Sequence, residues 1–248
     1  MTSLLKAVAV IPARLASTRL PRKVLREIAG RPMLAHVYYG VRACDGLDKV
    51  IVATDSEEVM AECKHQGWEA QLTSSAHRSG TERVREVAER LDAEVYVNVQ
   101  GDEPLVRPEH ITLLLSLMKN PRVEVGTIKT RCAPNDVTNP NAVKVVADAA
   151  GRALYFSRAT IPYDRERTPE SQKQASYFKH LGLYAYRKPA LERFCSLPES
   201  SLERNERLEQ LRFLENGISI YVAETPYDTI GVDTEEDLRR VEEILLQR

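Results

Sequence analysis

Apolar and polar positions alternate in blocks along the first half of the chain, and the blocks change period. Residues 7–11 form a short apolar run that ends at Pro12, the pattern of a strand buried on both faces. The segment 32–43 reads as a helix with Pro32 in its first turn. A second apolar run at 50–54 is followed by Ser56 as helix cap, Glu57 and Glu58 in the first turn, and Gly67 as the stop. A short strand at 69–72 leads into a polar loop, after which Thr81 opens a helix. Its Val84, Val87, Ala88 and Leu91 share one face. A third strong strand at 95–99 runs into Gln100-Gly101-Asp102.

This alternation predicts an α/β fold, an open and mostly parallel sheet with helices on both faces. Ligands in such sheets bind beyond the carboxyl ends of the strands. The second half has a different texture. Strands at 143–147 and 153–157 flank a turn-forming Asp148-Ala149-Ala150-Gly151, as in a hairpin. Residues 164–176 are polar and read as a mobile loop. A strand at 179–186, a charged helix at 202–215, a strand at 219–222 and a closing helix capped by Thr234 complete the pattern. The expected organisation is a single α/β domain over 1–248 with a smaller β-rich lobe. Within it, 1–135 form the α/β half, 136–230 the lobe and 231–248 the closing helix.

Composition narrows the class without naming a chemistry. The 248 residues are 43% hydrophobic and 29% charged, ordinary for a soluble domain. No run approaches the length of a membrane span, and the start lacks the regions of a signal peptide. Cys44, Cys63, Cys132 and Cys195 are scattered without paired spacing, which argues against zinc and fits a reducing cytoplasm. A net charge of −1, with no basic-aromatic interleaving, gives no reason to expect nucleic acid. Yet between Lys6 and Arg31 seven basic residues face one acid, Glu27, a balance suited to a small polyanion.

Within that stretch, Pro12-Ala13-Arg14-Leu15-Ala16-Ser17-Thr18-Arg19-Leu20-Pro21-Arg22-Lys23 follows the first strand. Arg14, Arg19 and Lys23 can converge on a triphosphate, with Ser17 and backbone amides as further donors. The loop lacks the glycines of a Walker motif or a dinucleotide fingerprint. Asp102, placed after a buried strand, is a natural hard-oxygen ligand for Mg²⁺ or else a turn former. Asp233, in Gly231-Val232-Asp233-Thr234, reads equally as a helix-entry residue or a second metal ligand. His180 and Tyr184 share one face of their strand. No Ser-His-Asp or Cys-His arrangement emerges.

These segments, together with His77-x-Ser79-Gly80-Thr81-Glu82-Arg83, Val97-Asn98-Val99-Gln100-Gly101-Asp102-Glu103-Pro104, Tyr155-Phe156-Ser157-Arg158-Ala159-Thr160-Ile161-Pro162, His180-Leu181-Gly182-Leu183-Tyr184 and Leu208-Glu209-Gln210-Leu211-Arg212, resemble the 3-deoxy-D-manno-octulosonate (Kdo) cytidylyltransferases, in the same order from first strand to last helix. The resemblance implies transfer of CMP from CTP to Kdo, with release of pyrophosphate, for lipopolysaccharide biosynthesis in the cytoplasm. The alternative is the same chemistry on 8-amino-Kdo or another sugar acid. It further implies a homodimer and Mg²⁺ as cofactor, held by Asp102 and Asp233. Ala13, Arg14, Ser17, Arg19, Lys23, Ser79 and Gln100 would meet the nucleotide. Gln100, Arg158, His180, Tyr184, Glu209 and Gln210 would position the sugar acid. Arg14, Lys23, Asp102 and Asp233 would carry catalysis. The chain departs from the family pattern at Arg22 and Val24, where Gly and Pro are usual, and at Arg204-Asn205, where His-Ile is usual. The first departure adds a charge expected near the triphosphate, and the second is expected near the sugar pocket.

Overall fold

The computed structural model describes residues 5–15, 19–166 and 177–247. All but the first three residues of the loop expected at 164–176 therefore lie outside the described residues. The three strongest apolar runs form the middle of one sheet. Strand β1 (Ala7–Pro12) pairs in parallel with β4 (Lys49–Thr54) on one side and β6 (Val95–Asn98) on the other. Every residue of β1 and β6 is buried, which is why these runs are continuous rather than alternating. Beyond β4 lies β5 (Ala70–Leu72), also parallel.

The chain moves outward from β1 to β4 and β5, then returns to place β6 on the opposite side of β1. The carboxyl ends of β1 and β6 thus form a topological switch point, the place where open α/β sheets bind ligands. A minimal hairpin, β2 (Glu27–Ile28) with β3 (Arg31–Pro32), lies apart from this sheet.

The second half extends the same sheet with antiparallel pairings. β10 (Phe178–Tyr186) inserts between β6 and β7 (Val125–Arg131), antiparallel to both, and β11 (Ile220–Glu224) pairs in parallel with β7 at the edge. The hairpin of β8 (Lys144–Ala147) and β9 (Ala153–Ser157) joins β10 through β8. The expected β-rich lobe is therefore built onto the sheet itself. The register of β10 on β7 slips by two residues between Leu181 and Tyr184. An even slip preserves alternation, so Leu181, Leu183 and Ala185 pack on one face, while the rings of His180 and Tyr184 lie 5.3 Å apart on the other.

Helices α1 (Met33–Arg42), α2 (Glu57–Gln66) and α4 (Pro108–Met118) belong to one face of the sheet. The other face takes α3 (Gly80–Arg90) and α5 (Lys188–Ser196), followed by α6 (Ser201–Glu206) and α7 (Gln210–Glu215). Ile111, Leu114, Leu115 and Met118 sit at helical spacing and bury α4. Ser56 and Gly67 bound α2 as expected, with Gly67 left-handed at φ 73°.

Two expectations need correction. Ser79, not Thr81, caps α3, and Thr81 lies within the helix, fully buried. The charged segment at 202–215 is two short helices, not one. Arg207 takes a left-handed conformation at φ 54°, and Glu203 and Arg212 lock the two pieces together. The apolar spacing of Leu208, Leu211 and Leu214 survives the break, so periodicity alone could not report it.

A third, smaller core matters most for the site. Leu20, Ile28, Met33, Leu105, Val232, Leu238 and Val241 pack together. They join the basic loop, the segment after β6 and the closing helix α8 (Glu235–Leu246). Each such side chain contributes about 1.5–3 kcal/mol on burial. Their combined effect is to bring residues some two hundred positions apart onto one rim.

Candidate active site

At the switch point lies a cleft of about 450 Å³, lined by Pro12, Arg14, Arg19, Lys23, Val24, Arg78, Ser79, Gly80, Gln100, Gly101, Asp102 and Asp233. Three segments build it. The first is the loop after β1. The Ala13 amide donates to the Ala53 carbonyl at 2.9 Å, tucking that buried residue beneath the cleft. Past it, Arg14 carries a guanidinium with no hydrogen bond or ion pair among the described residues. Ser17 lies outside the described residues.

The second segment follows β6. The Gly101 amide donates to the Pro12 carbonyl at 3.1 Å, and a Cβ on Gly101 would stand 2.9 Å from that same oxygen. Only glycine lets the two backbones meet there, and that contact turns Asp102 into the cleft.

The third segment enters α8. Thr234 and Asp237 form a reciprocal capping box, which leaves Asp233 just outside the helix with its carboxylate facing the cleft. The Val232 amide donates to the Asp102 carbonyl at 2.9 Å, fixing the two aspartate segments side by side. Asp233 is thus both a helix-entry residue and a cleft residue.

The two carboxylates converge on one cation. The Lys23 ammonium donates to Asp102 Oδ2 at 2.5 Å and to Asp233 Oδ1 at 2.9 Å, while Arg19 holds Asp233 Oδ2 at 3.0 Å. Burial works against the charged lysine, but the two carboxylates outweigh it and hold the ammonium pKa above its ordinary value. Four cations, Arg14, Arg19, Lys23 and Arg78, face two carboxylates here, so the cleft retains a positive excess for a polyanion. Arg78 was not singled out from the sequence; it occupies the variable position of His77-x-Ser79.

Arg22 does not join them. Its backbone is left-handed at φ 56°, the conformation glycine favours, and its guanidinium pairs with Glu58 on α2. The extra charge expected near the triphosphate points elsewhere. Val24 is buried and lines the cleft wall.

Behind the cleft, a buried polar relay leads inward. Ser79 caps α3, its hydroxyl accepting from the Glu82 amide at 3.2 Å. Gln100 Nε2 donates to Asn98 Oδ1 at 3.1 Å. Thr81 Oγ1 donates to Glu209 Oε1 at 2.9 Å and so accepts from Tyr186 Oη at 3.4 Å. Three polar atoms on this wall, Asn98 Nδ2, Tyr184 Oη and Glu209 Oε2, are buried without a partner. Asn98 and Tyr184 are cross-strand neighbours, and Tyr184 stacks on Tyr186 with centroids 5.6 Å apart. Burial raises the Glu209 carboxyl, against the opposing hydrogen bond of Thr81 and the nearby Ser79 hydroxyl. Orphaned buried groups of this kind are costly unless a ligand's hydroxyls or carboxylate complete them. Asn98, Thr81 and Tyr186 were not singled out either. The i, i+2 spacing of Asn98, the last residue of β6, and Gln100 just beyond it was the available signal.

The other expected sugar residues lie deeper or farther away. Gln210 is buried at the start of α7. His180, 9% exposed, sits behind Tyr184 and packs edge-on against Phe156. Thr127 Oγ1 donates to the Leu183 carbonyl at 2.8 Å, so it accepts from His180 Nε2, 3.0 Å away, which makes the imidazole an Nε2–H donor. Burial pushes that imidazole down to about 3. The unfolded chain takes up this proton near pH 6.5 and the folded chain only near pH 3, so His180 costs stability progressively as pH falls through that window. His180→Gln is therefore expected to be about 2 kcal/mol less damaging at pH 5 than at pH 8. Urea unfolding of both proteins at the two pH values checks this, and equal penalties would contradict it.

Arg158 spends its donors on the fold. Nε reaches the Glu206 carbonyl at 2.8 Å, Nη1 the Pro140 carbonyl at 3.0 Å and Nη2 the Arg207 carbonyl at 3.4 Å. Arg158→Ala should lower stability by about 1–2 kcal/mol by leaving these acceptors open. A raised sugar KM with an unchanged melting temperature would instead favour direct sugar contact. Arg204 and Asn205 are exposed on α6, with Arg204 bound to the Glu199 carbonyl, and neither lines the cleft.

Comparison with known proteins shows the family. The cytidylyltransferase family model matches residues 8–220. A 3-deoxy-manno-octulosonate cytidylyltransferase of Koribacter versatilis is 67% identical, over 100% of this chain and 93% of its own. Another, of Acidobacterium capsulatum, is 59% identical over 99% of both. Among solved structures, a CMP:2-keto-3-deoxy-manno-octonic acid synthetase complexed with CTP superposes with a TM-score of 0.91 at 42% identity, covering 98% of this chain and 99% of that one. A 4-diphosphocytidyl-2C-methyl-D-erythritol synthase of Anaerococcus prevotii, 17% identical with a TM-score of 0.65 over 98% and 97%, shares the fold. Matched by the family model over residues 8–220 and by relatives of 67% and 59% identity along nearly all of its residues, the chain belongs to the 3-deoxy-manno-octulosonate cytidylyltransferase family.

Proposed function

We propose that this protein transfers CMP from CTP to Kdo, releasing pyrophosphate and supplying activated sugar for lipopolysaccharide assembly. The observation that carries the reading is the convergence of Asp102 and Asp233 on one cation in a cleft whose other charged residues are Arg14, Arg19 and Arg78. The donor set suits Mg²⁺, which takes hard oxygens and is commonly bound by one or two carboxylates plus substrate phosphates. Among the described residues there is no group of three or more metal-ligating side chains, so the remaining ligands would come from substrates and water. Mg²⁺ bound by Asp102 and Asp233 would neutralise phosphate charge and lower the pKa of a coordinated hydroxyl.

The chain's own part is binding and alignment. Arg14, Arg19, Lys23 and Arg78 neutralise the triphosphate, and the Ser79–Gly80 start of α3 adds the positive end of a helix. Gln100 is held by Asn98 on the floor. The sugar acid completes the unpartnered Asn98, Tyr184 and Glu209 atoms, and its anomeric 2-hydroxyl attacks the α-phosphorus in line. A His180 imidazole near 3 is too weak a base to take that proton at neutral pH, so alignment and charge dominate.

In this reading 1–135 handle the nucleotide, 136–230 the sugar and the dimer contact, and 231–248 bring Asp233 to the cleft. CTP supply puts the reaction in the cytoplasm, consistent with four free cysteines. Exposed Leu154 and Tyr163 give the sugar lobe apolar surface for a homodimer, which sedimentation would show at twice 28.0 kDa. Pyrophosphate release measured with CTP and Kdo, 8-amino-Kdo or sialic acid tests the whole. Turnover should be fastest with Kdo, and a faster 8-amino-Kdo reaction would reassign the sugar.

A further inference from the structure

Lys23 stands where a metal ion would. An ammonium has three hydrogens, and two of them are given to Asp102 Oδ2 at 2.5 Å and Asp233 Oδ1 at 2.9 Å. The side chain is only 12% exposed, so water dilutes these contacts little. Two cations cannot share the one point on which both carboxylates converge. The convergence itself does not depend on Lys23 alone, because the Val232-to-Asp102 backbone bond and the small core of Leu105, Val232 and Leu238 hold the segments together.

The lysine backbone is likewise fixed, in a 3-10 turn (Lys23–Leu25) anchored by buried Val24 and by the Arg26 amide on the Lys23 carbonyl. The mobile part is the four-carbon stem. A triphosphate entering among Arg14, Arg19 and Arg78 offers the ammonium several new anionic oxygens within reach of that stem.

We propose that Lys23 is a resident counter-ion of the metal site: in the free protein its ammonium keeps Asp102 and Asp233 paired and excludes a divalent cation, until nucleotide phosphates draw it away. Metal binding is thereby conditional on nucleotide, and the free protein is not committed to a metal with no phosphate to act on. The proposal rests on the reading of Asp102 and Asp233 as metal ligands.

The test is Mn²⁺ binding, followed by electron paramagnetic resonance, with and without a non-hydrolysable CTP analogue. Without nucleotide, Lys23→Met should bind Mn²⁺ at least about tenfold more tightly than the unsubstituted protein, the scale of one charge-assisted hydrogen bond removed from competition. Its melting temperature should rise with Mn²⁺, while that of the unsubstituted protein should not. Lys23→Arg, which retains the charge, should keep excluding the ion, and adding Asp233→Asn to Lys23→Met should erase the gain. Lys23→Gln serves as a second uncharged variant should Lys23→Met fail to fold. Equal or weaker Mn²⁺ binding by the folded uncharged variant would overturn the proposal. The underlying metal assignment fails separately: it falls if Asp102→Asn and Asp233→Asn leave Mn²⁺ binding in the presence of the CTP analogue intact.

Discussion

Asp102→Asn and Asp233→Asn are each expected to reduce kcat on the order of 10²–10⁴-fold while leaving the fold in place. Asparagine keeps the size of the side chain and removes the charge that a hard divalent cation needs. The contacts that set the local backbone are untouched: the Asp102 segment is held by its carbonyl, which accepts from the Val232 amide, and by the Gly101–Pro12 approach. The Asp233 segment is held by the Thr234–Asp237 capping box. Each variant also strips one partner from Lys23, so a modest change in thermal stability should accompany the loss of turnover. Pyrophosphate release at saturating CTP, Kdo and Mg²⁺ is the measurement. Near-full activity in either variant would remove that carboxylate from the reacting centre.

The largest effect on stability should come from Arg212→Ala, far from the phosphates. Arg212 meets Glu203 fork to fork, Nε to Oε2 at 2.7 Å and Nη2 to Oε1 at 2.6 Å, with side-chain exposures of 11% and 9%. Its guanidinium also covers the Phe194 ring at 4.2 Å. Removing it leaves a buried carboxylate without its counter-ion and with only the Ser200 amide as partner, a loss of about 3–5 kcal/mol. In a chain of this size that corresponds to a fall of roughly 10 °C in melting temperature. Because the pair ties α6 to α7, Glu209 and Gln210 should also lose their positions, raising KM for the sugar before KM for CTP. The double variant Glu203→Met/Arg212→Met separates charge from packing. Replacing both partners by apolar chains of similar volume should restore most of the stability. A double variant as unstable as Arg212→Ala would show that the site depends on the guanidinium's packing rather than on its charge.

The two predictions draw on features of very different legibility. The basic loop, the Gln100-Gly101-Asp102 turn and the Gly231–Thr234 entry to the last helix are short continuous segments, readable because each follows a recognisable strand or precedes a recognisable helix. The Glu203–Arg212 pair was hidden. A charged run with leucines at helical spacing reads as one helix, and nothing local reveals that residue 207 turns left-handed to let an ion pair close across the break.

Arg22 illustrates the same limit. Its charge is plain in the sequence, but the left-handed backbone and the pull of Glu58 aim it away from the cleft. His180 and Arg158 are present where the family pattern puts them, yet Thr127 occupies the imidazole nitrogen and three carbonyls occupy the guanidinium. A residue type states which bonds are available to it, and the neighbours brought by folding state which are already taken.

Alone, the sequence determined the parallel α/β core, the caps of α2 and α8, the hairpin of the second half and a cluster of cations beyond the first strand. Each of these depends on nearest neighbours, on the period of apolar positions and on the hydrogen-bonding habits of single residues. Only the tertiary structure decided that Asp102 and Asp233 share a cation, that the cation is Lys23, and that Asn98, Tyr184 and Glu209 present unpartnered atoms to one wall. Those facts require a return crossing in the sheet and a small core joining residues 20, 105 and 232, contacts whose partners are too far apart in the chain for any local pattern to record.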